Sequence, residues 1–271
     1  MHRVSVSDHS GKSPGSTVTV HGSYPGGPET DDSGAWERRL GRIWAQQLRQ
    51  RHHGPESTVV EIGPGFSAKV GFGLAEVGFR GELILVEPNA PALRWAADAY
   101  QRLLPRAAVR SRCQPVPDAG SIEGPVAVLL ANHLLDDLLL NAYVQAAEGD
   151  RIFGAMRPGA GCPERYVEIW LQLIHAPDPL SEIADRVAAE LASYVAEVQP
   201  ACLILNDYPS WQHNRSGLGL IHQVSRRTMR GLQRRLERVR PVSAHVQRTD
   251  SGDMLWLISV IPDNTRRKAQ S

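Results

Sequence analysis

The sequence predicts an α/β fold in which a mostly parallel sheet is built from successive strand–helix–strand units. Short apolar segments alternate with longer segments whose apolar residues recur every three or four positions. This alternation is typical of a parallel sheet that is covered by helices. We expect strands at Thr58–Ile62, Glu82–Val86, Ala107–Cys113, Pro125–Leu130 and Ala201–Leu205. We expect the helices between and after them at Ser67–Val77, Ala90–Leu104, Leu134–Ala147, Leu180–Val198 and Arg226–Val239.

The two ends of this pattern differ from its middle. An amphipathic helix is predicted at Gly34–His53, before the first strand. At the carboxyl end, Val242–Arg248 and Met254–Ile261 flank a turn-forming tract that ends in Ser-Gly-Asp. Two strands on either side of such a tract indicate an antiparallel hairpin. The sheet is therefore expected to end antiparallel.

The predicted domain occupies residues 33–263 and lies between polar ends. Residues 1–32 are rich in Ser, Gly and Pro and are interpreted as a flexible leader, and residues 264–271 as a loose tail. Residues 150–180 interrupt the alternation, and they are interpreted as an insertion or lid near the site. This segment carries an aromatic group made of Tyr166, Trp170 and His175.

Composition excludes several classes of function. The formal net charge is +1 and hydrophobic residues make up 42% of the chain, so no overall field attracts nucleic acid or membrane. The stretch Arg226–Arg240 holds seven arginines and one acid, but it lacks interleaved aromatic residues and is interpreted as a solvated face. Nucleic acid and membrane are therefore not expected as partners.

The three cysteines and the amino terminus point to a reducing compartment. Cys113, Cys162 and Cys202 stand far apart, so neither a metal site nor a disulfide framework is expected. Residues 1–10 lack the apolar segment of a secretory signal, and no apolar run is long enough to span a bilayer. These features predict a cytoplasmic protein. The oligomeric state is not determined, and a homodimer stays open.

A glycine-containing turn follows the first predicted strand. The segment from Glu61 to Ser67 reads Glu-Ile-Gly-Pro-Gly-Phe-Ser. Glycine at positions 63 and 65 permits a tight turn and lets a ligand approach the backbone, and the following helix directs free N–H groups at that ligand. An ordinary turn between a strand and a helix is the alternative, because a lone Gly-x-Gly is a weak signal.

An acid at the end of the second strand strengthens the case for a nucleoside site. Glu87 follows the glycine turn by about 20 residues, which is the place of a ribose-binding acid in such units. A carboxylate accepts hydrogen bonds from both ribose hydroxyls, and Pro88 is then expected beside the base. The other interpretation of Glu87 is a helix cap.

The order of elements resembles that of class I S-adenosylmethionine-dependent methyltransferases, whose seventh strand is inserted antiparallel. The resemblance covers roughly residues 55–262. It implies a Rossmann-like, doubly wound, seven-stranded sheet with an antiparallel carboxy-terminal hairpin strand, and S-adenosylmethionine as cofactor. It also implies that Gly63, Pro64, Gly65 and Phe66 hold the amino-acid part of the cofactor and that Glu61 faces its ammonium group.

The ends of the third and fourth strands supply further candidates. Cys113, Gln114 and Asp118 are alternatives for contact with the adenine. Asn132 is a candidate for the cofactor carboxylate or the acceptor. The segment from Asn132 to Asp136 resembles the Asn-Glu-x-x-Asp element of some mitochondrial and bacterial protein-arginine methyltransferases, with His133 in place of the glutamate.

Residues after the fourth and fifth predicted strands are candidates for catalysis. His133 is either a candidate general base or a histidine at a helix start that bonds to nearby backbone, and Asp136 is either catalytic or an acid in the first turn of a helix. Asp207 and Tyr208 lie in the segment Asn206–Pro209, which is similar to the Asn-Pro-Pro-Tyr element of amino-group methyltransferases, in which the aspartate or asparagine orients the target nitrogen. Tyr208 alternatively forms an aromatic wall beside the sulfonium.

Three functions are compatible with the sequence. The first is methyl transfer to a small-molecule or protein acceptor. The second uses the same cofactor but attacks the methionine γ-carbon, transferring an aminocarboxypropyl group or closing an azetidine-type ring, and releases methylthioadenosine. The third is a binding module without catalysis. The nature of the released nucleoside separates the first two functions.

Overall fold

In a computed structural model of the protein, the described residues are 33–51, 54–66, 68–115, 122–144, 148, 151–152, 165, 168–169, 172, 177–207, 218–239, 243–248 and 255–260. The helices are α1 (Ser33–Arg49), α2 (Lys69–Glu76), α3 (Ala90–Leu103), α4 (Leu135–Tyr143), α5 (Pro177–Val198) and α6 (Leu218–Val239). The strands are β1 (Thr58–Ile62), β2 (Glu82–Val86), β3 (Ala108–Arg112), β4 (Val128–Asn132), β5 (Cys202–Asp207), β6 (Ser243–Arg248) and β7 (Leu255–Val260).

The strands form one mixed sheet in the order β3-β2-β1-β4-β5-β7-β6. The first five strands of the chain pair in parallel, whereas β7 is antiparallel to both β5 and β6. This order is that of a doubly wound dinucleotide-binding sheet with one antiparallel strand inserted before the last. The predicted Rossmann-like α/β class and its antiparallel carboxy-terminal pair are therefore confirmed.

Helices cover both faces of the sheet because successive strand residues point to opposite sides. Val60 and Ile62 of β1 belong to one buried core, against α4, α5 and α6. Val59 belongs to the other buried core, against α1, α2 and α3. Both faces of β1, β2, β4 and β5 are apolar, as expected for interior parallel strands, while β3 is an edge strand whose residues are mostly exposed.

Several boundaries differ from the sequence-based ones. The fourth strand begins at Val128, not at Pro125, and continues to Asn132, because its pairing register aligns Val128 with Val59. The last helix begins eight residues before the expected Arg226, at Leu218. Gly78 follows α2 with φ +71°, as expected for a glycine that ends a helix.

Some predictions fall on residues outside the described part of the chain. These are the leader at 1–32, the tail at 264–271, the residues Tyr166, Trp170 and His175 of the proposed insertion, and the turn of the carboxy-terminal hairpin. Within the described residues, no helix has the combination of length and apolar character that a bilayer-spanning segment needs.

Candidate functional site

The predicted site residues gather at one edge of the sheet. Because β1 to β5 are parallel, the residues that follow them lie at a common carboxyl edge, and a crevice forms where the strand order reverses. Here that point lies between β1 and β4, which are neighbours in the sheet. The glycine turn, Glu87, Cys113, Asn132 and Asp207 all lie at this edge.

The glycine turn has a backbone that other residues adopt poorly. Gly63 and Gly65 have φ of +63° and +57°, in the left-handed region that costs a residue with a Cβ about 1–2 kcal/mol. A Cβ on Gly63 would also lie 2.4 Å from Leu134 Cδ1. The N–H of Gly63 donates to the carbonyl of Val86 at 2.8 Å, which continues the sheet into the turn. The turn is therefore fixed between β2 and the residues after β4.

The two side chains within the turn are directed into the protein. Pro64 is buried, and Phe66 is 2% exposed and packs in the same core as Ile62 and Leu134. Any contact of this segment with a ligand therefore involves mainly its backbone. The predicted roles of Pro64 and Phe66 in holding a cofactor stay predictions.

Glu87 is tied to the glycine turn. Its Oε2 accepts the backbone N–H of Gly65 at 3.1 Å, and its Oε1 accepts that of Asn89 at 2.9 Å. Burial raises the pKa of the Glu87 carboxyl, and these two backbone donors oppose the rise. Each oxygen keeps a lone pair for a further donor. The helix cap is supplied instead by Asn89, whose Oδ1 accepts the N–H of Ala92 at 3.2 Å.

The end of β3 lies beside Pro88. The Cys113 thiol is exposed and its Sγ lies 3.5 Å from the carbonyl oxygen of Pro88, to which it donates. Gln114 follows, and its buried Nε2 has no hydrogen-bond partner among the described residues. Pro88 is exposed, and Asp118 lies outside the described residues. Gln114 is thus a donor that a ligand at this edge would satisfy.

Glu61 is buried against α3. It is 2% exposed, and its Oε2 accepts the hydroxyl of Tyr100 from α3. Burial raises the pKa of the Glu61 carboxyl to about 8, although the Tyr100 hydrogen bond lowers it. At neutral pH this carboxyl is mostly protonated, so it carries little charge to offer an ammonium group. Its predicted contact with a cofactor ammonium stays a prediction.

Asn132 is held by α1. Its Oδ1 accepts the indole N–H of Trp44 at 3.2 Å, and Trp44 lies edge-on to Trp256 of β7 with ring centroids 4.9 Å apart. Both indoles are fully buried. The first helix is therefore anchored over the carboxyl end of β4 and the amino end of the antiparallel β7, with one polar contact to a candidate site residue.

His133 and Asp207 lie together after β4 and at the end of β5. His133 Nδ1 is 3.7 Å from Asp207 Oδ1, and the two side chains are 11% and 2% exposed. His133 is also one of two non-glycine residues of the described chain with positive φ, at +53°. Its backbone N–H donates to the carbonyl of Asn206 at 3.1 Å. Two of the predicted catalytic residues are thus neighbours.

The structure does not describe the side chains of the remaining candidates. Asp136 lies in the first turn of α4, and its side chain is not described; Tyr208 lies outside the described residues, as do Trp211 and His213. Three residues that contact or act on the candidate site residues were missed by sequence reasoning, namely Trp44, Tyr100 and Lys69. Lys69 is the first residue of α2 and its charge acts on His133. A cation directly after a glycine turn is the signal that could have identified it.

We expect Gly63→Ala to destabilise the protein by about 2–3 kcal/mol, because left-handed strain adds to the displacement of Leu134. Gly78→Ala is the matched control, since Gly78 has φ +71° with nothing within 4 Å of an added Cβ; it should lose only about 1 kcal/mol. The measurement is urea unfolding of both variants. Equal losses would contradict the close contact between the turn and Leu134.

The chain matches no protein-family model and no curated protein. It is similar in structure to a SAM dependent methyltransferase from Aquifex aeolicus, at 12% identity and TM-score 0.44 over 84% of this chain and 98% of that one. It is similar to an O-methyltransferase family protein from Burkholderia thailandensis, at 13% identity and TM-score 0.43 over 86% and 60%. A putative rRNA methylase from Clostridium thermocellum gives 11% identity and TM-score 0.44 over 82% and 96%.

These values are too low to indicate an activity. The fold itself follows from the connectivity of this chain, in which an antiparallel β7 lies between β5 and β6 of an otherwise parallel sheet. The antiparallel seventh strand is the same feature on which the resemblance in the sequence rests. The described part of the chain thus has a Rossmann-like α/β fold with the antiparallel strand that the sequence predicts.

Proposed function

We propose that the protein binds S-adenosylmethionine at the carboxyl edge of the sheet and transfers its methyl group to a small-molecule or protein acceptor. The observation that carries this proposal is the bond between Gly65 N and Glu87 Oε2. It joins the turn that would receive the methionine end to the acid that would bind the sugar. The two halves of a nucleoside site are thereby one connected unit.

The residues at this edge fit such a ligand. Glu87 has lone pairs left on both oxygens for the two ribose hydroxyls. Gln114 supplies a buried amide donor that lacks a partner among the described residues, and a ring nitrogen of adenine is a suitable acceptor for it. The turn at Gly63 and Gly65 presents backbone rather than side chains, so the methionine end can approach closely.

The chemistry asked of the protein is mainly positioning. The cofactor supplies a methyl group that its sulfonium already activates toward attack. The turn at Gly63–Gly65 and Glu87 would fix the cofactor at both ends, while the residues after β4 and β5 would orient the acceptor in line. Holding two reactants in this way contributes most of the acceleration in such transfers.

We expect Glu87→Ala to weaken binding of S-adenosylmethionine by about 100-fold, because two hydrogen bonds to a charged acceptor contribute roughly 3 kcal/mol. The measurement is isothermal titration calorimetry on the full chain, with thermal unfolding recorded to show that the variant is folded. The matched control is Glu82→Gln, at the opposite end of β2, where the carboxylate pairs with Arg110 at 2.8 Å. Equal affinity in a folded Glu87→Ala variant would contradict the proposed site.

The released nucleoside decides between the open chemistries. Full-length protein incubated with S-adenosylmethionine and a panel of acceptors should form S-adenosylhomocysteine, as read by mass spectrometry. Methylthioadenosine formed without acceptor would show attack at the γ-carbon and would overturn methyl transfer. Tight binding with no product of either kind from any acceptor would favour a non-catalytic module.

A further inference from the structure

The pair formed by His133 and Asp207 has the geometry of a general base and its partner. The two residues come from adjacent strands, and the register places Asn132 opposite Asn206, so His133 and Asp207 are next along their strands. Nδ1 faces Asp207 Oδ1 at 3.7 Å, somewhat beyond hydrogen-bond distance. Hydrogen bonds of catalytic groups are often long before substrate binds and shorten in the complex. The other imidazole nitrogen, Nε2, is then the one able to accept a proton.

The backbone at His133 is held in an unusual conformation. A φ of +53° is uncommon for a residue with a Cβ, and histidine, asparagine and aspartate adopt it more often than the others. The N–H of His133 donates to the carbonyl of Asn206 at 3.1 Å and lies 3.3 Å from its Oδ1. Strained positions that the surrounding structure enforces in this way concentrate at functional sites.

Burial of His133 favours an imidazole that is neutral and ready to accept a proton. Burial is the largest influence and lowers the pKa of His133; the charge of Lys69 on α2 lowers it further, whereas the Asp207 carboxylate raises it. The net direction is downward from the ordinary value of 6.5. When a proton arrives, Asp207 is placed to stabilise the imidazolium.

His133 also adjoins the proposed cofactor site. The next residue, Leu134, packs against the turn so closely that a Cβ on Gly63 would lie 2.4 Å from its Cδ1. The charge of Lys69, the first residue of the helix after that turn, acts on His133, so His133 lies near the turn that is proposed to hold the methionine end. The His133 side chain is 11% exposed, but both ring nitrogens are buried, so an acceptor must enter the site to reach Nε2.

We propose that His133 is the general base of the transferase and Asp207 its positioning residue, and that the acceptor is consequently a hydroxyl compound. This inference rests on the proposed function. A neutral amine or a thiolate attacks a sulfonium methyl without help, whereas a neutral hydroxyl is a poor nucleophile and gains most from losing its proton. A general base at this edge of the sheet therefore indicates that the acceptor is an alcohol or a phenol.

The step balances with these groups alone. The acceptor hydroxyl gives its proton to His133 Nε2 as its oxygen forms a bond to the methyl carbon. The electron pair of the breaking carbon–sulfur bond stays on sulfur, which becomes a neutral thioether. The imidazolium, held by Asp207, then releases the proton to water.

The test uses full-length protein, S-adenosylmethionine and matched acceptors. The panel consists of phenols, catechols, primary and secondary alcohols, and the amine and thiol of the same carbon skeleton as each. We expect methylation of at least one hydroxyl compound. His133→Asn and His133→Gly both suit a φ near +53°; each should lower kcat about 100-fold to 10,000-fold with that compound and change the KM for S-adenosylmethionine less than about twofold.

Two readouts separate a base from a structural histidine. Added imidazole should restore activity to His133→Gly, and the thiol analogue should lose far less rate in both variants, because it ionises without a base. In Asp207→Asn the acid limb of the kcat profile should move to lower pH, since Asp207 raises the pKa of His133. If the acid limb of Asp207→Asn stays at the pH of the parent, Asp207 is not the positioning residue of His133.

The outcomes distinguish this inference from the proposed function. Failure of the parent protein to bind S-adenosylmethionine would defeat the proposed function. Binding with methylation of amines or thiols only, or with no hydroxyl compound of the panel methylated, would defeat the assignment of a hydroxyl acceptor. Methylation of a hydroxyl that survives His133→Asn unchanged would defeat His133 as the base.

Discussion

Trp44→Ala should lower the free energy of unfolding by about 3–5 kcal/mol, among the largest losses for a single substitution in this protein. The Trp44 side chain is fully buried between α1 and the sheet, and its removal leaves a cavity that neighbours can fill only in part. The substitution also loses the edge-on contact with Trp256, worth about 0.5–1.5 kcal/mol beyond the buried area. Urea unfolding measures the effect.

Trp44→Phe is the control that separates packing from hydrogen bonding. Phenylalanine keeps an aromatic ring in the core but cannot donate to Asn132 Oδ1, so the loss should be about 1–3 kcal/mol. In a double-mutant cycle with Asn132→Ala, the coupling between positions 44 and 132 should account for about 1 kcal/mol of it. A Trp44→Ala variant within about 1 kcal/mol of the parent would mean that α1 does not pack on the sheet as described.

Trp44 also illustrates what the sequence can reveal. Its spacing with Leu40 and Leu48 predicts a helix with one apolar face, and all three side chains are buried. Periodicity does not say which face of the sheet such a helix covers, or that its indole reaches the end of β4. That contact depends on three elements distant in the chain, and no local pattern encodes it.

The strands were easier to predict than their ends. Interior parallel strands are apolar on both faces, and all of the expected ones are present. Because Pro125 and Val126 are apolar, the sequence predicts that the fourth strand begins at Pro125. It begins instead at Val128, which pairs with Val59 of β1. The last helix was placed too late because Gly217 and Gly219 suggest a loop, although the backbone is helical from Leu218.

The candidate site was predictable where a backbone requirement dictates the residue type. Gly63 and Gly65 both have the positive φ that their spacing indicates, and Glu87 meets their turn. The partner of His133 was not predictable, because Asp207 lies far along the chain and was interpreted as an orienting group for a nitrogen. Tertiary proximity of two polar residues leaves no periodic trace in the sequence.

We expect Glu61→Gln to reduce the dependence of stability on pH between about pH 5 and 8. The Glu61 carboxyl has its pKa raised from 4.5 to about 8 by burial. Below pH 4.5 both native and unfolded chains hold this proton, so the titration of Glu61 does not make stability change with pH there. Between the two values only the native state holds it, so stability falls as pH rises and levels off above the native pKa.

The size of this effect follows from the same two values. At about 1.4 kcal/mol per pH unit, the parent should lose on the order of 4–5 kcal/mol relative to Glu61→Gln on going from pH 4.5 to pH 8. Chemical unfolding of both proteins across that range measures the difference, and Glu87, whose pKa is also raised, is common to both. Glu82→Gln, at the opposite end of β2 where the carboxylate pairs with Arg110, should follow the parent.

Tyr100→Phe tests the cause of the shift. The Tyr100 hydroxyl donates to Glu61 and opposes the rise in its pKa, so its loss should extend the falling limb to higher pH. If the parent and Glu61→Gln show the same pH profile, Glu61 is ionised in the native protein. An ionised carboxylate at this depth needs a cationic partner. The result would then favour the contact between Glu61 and the cofactor ammonium group that the sequence predicts.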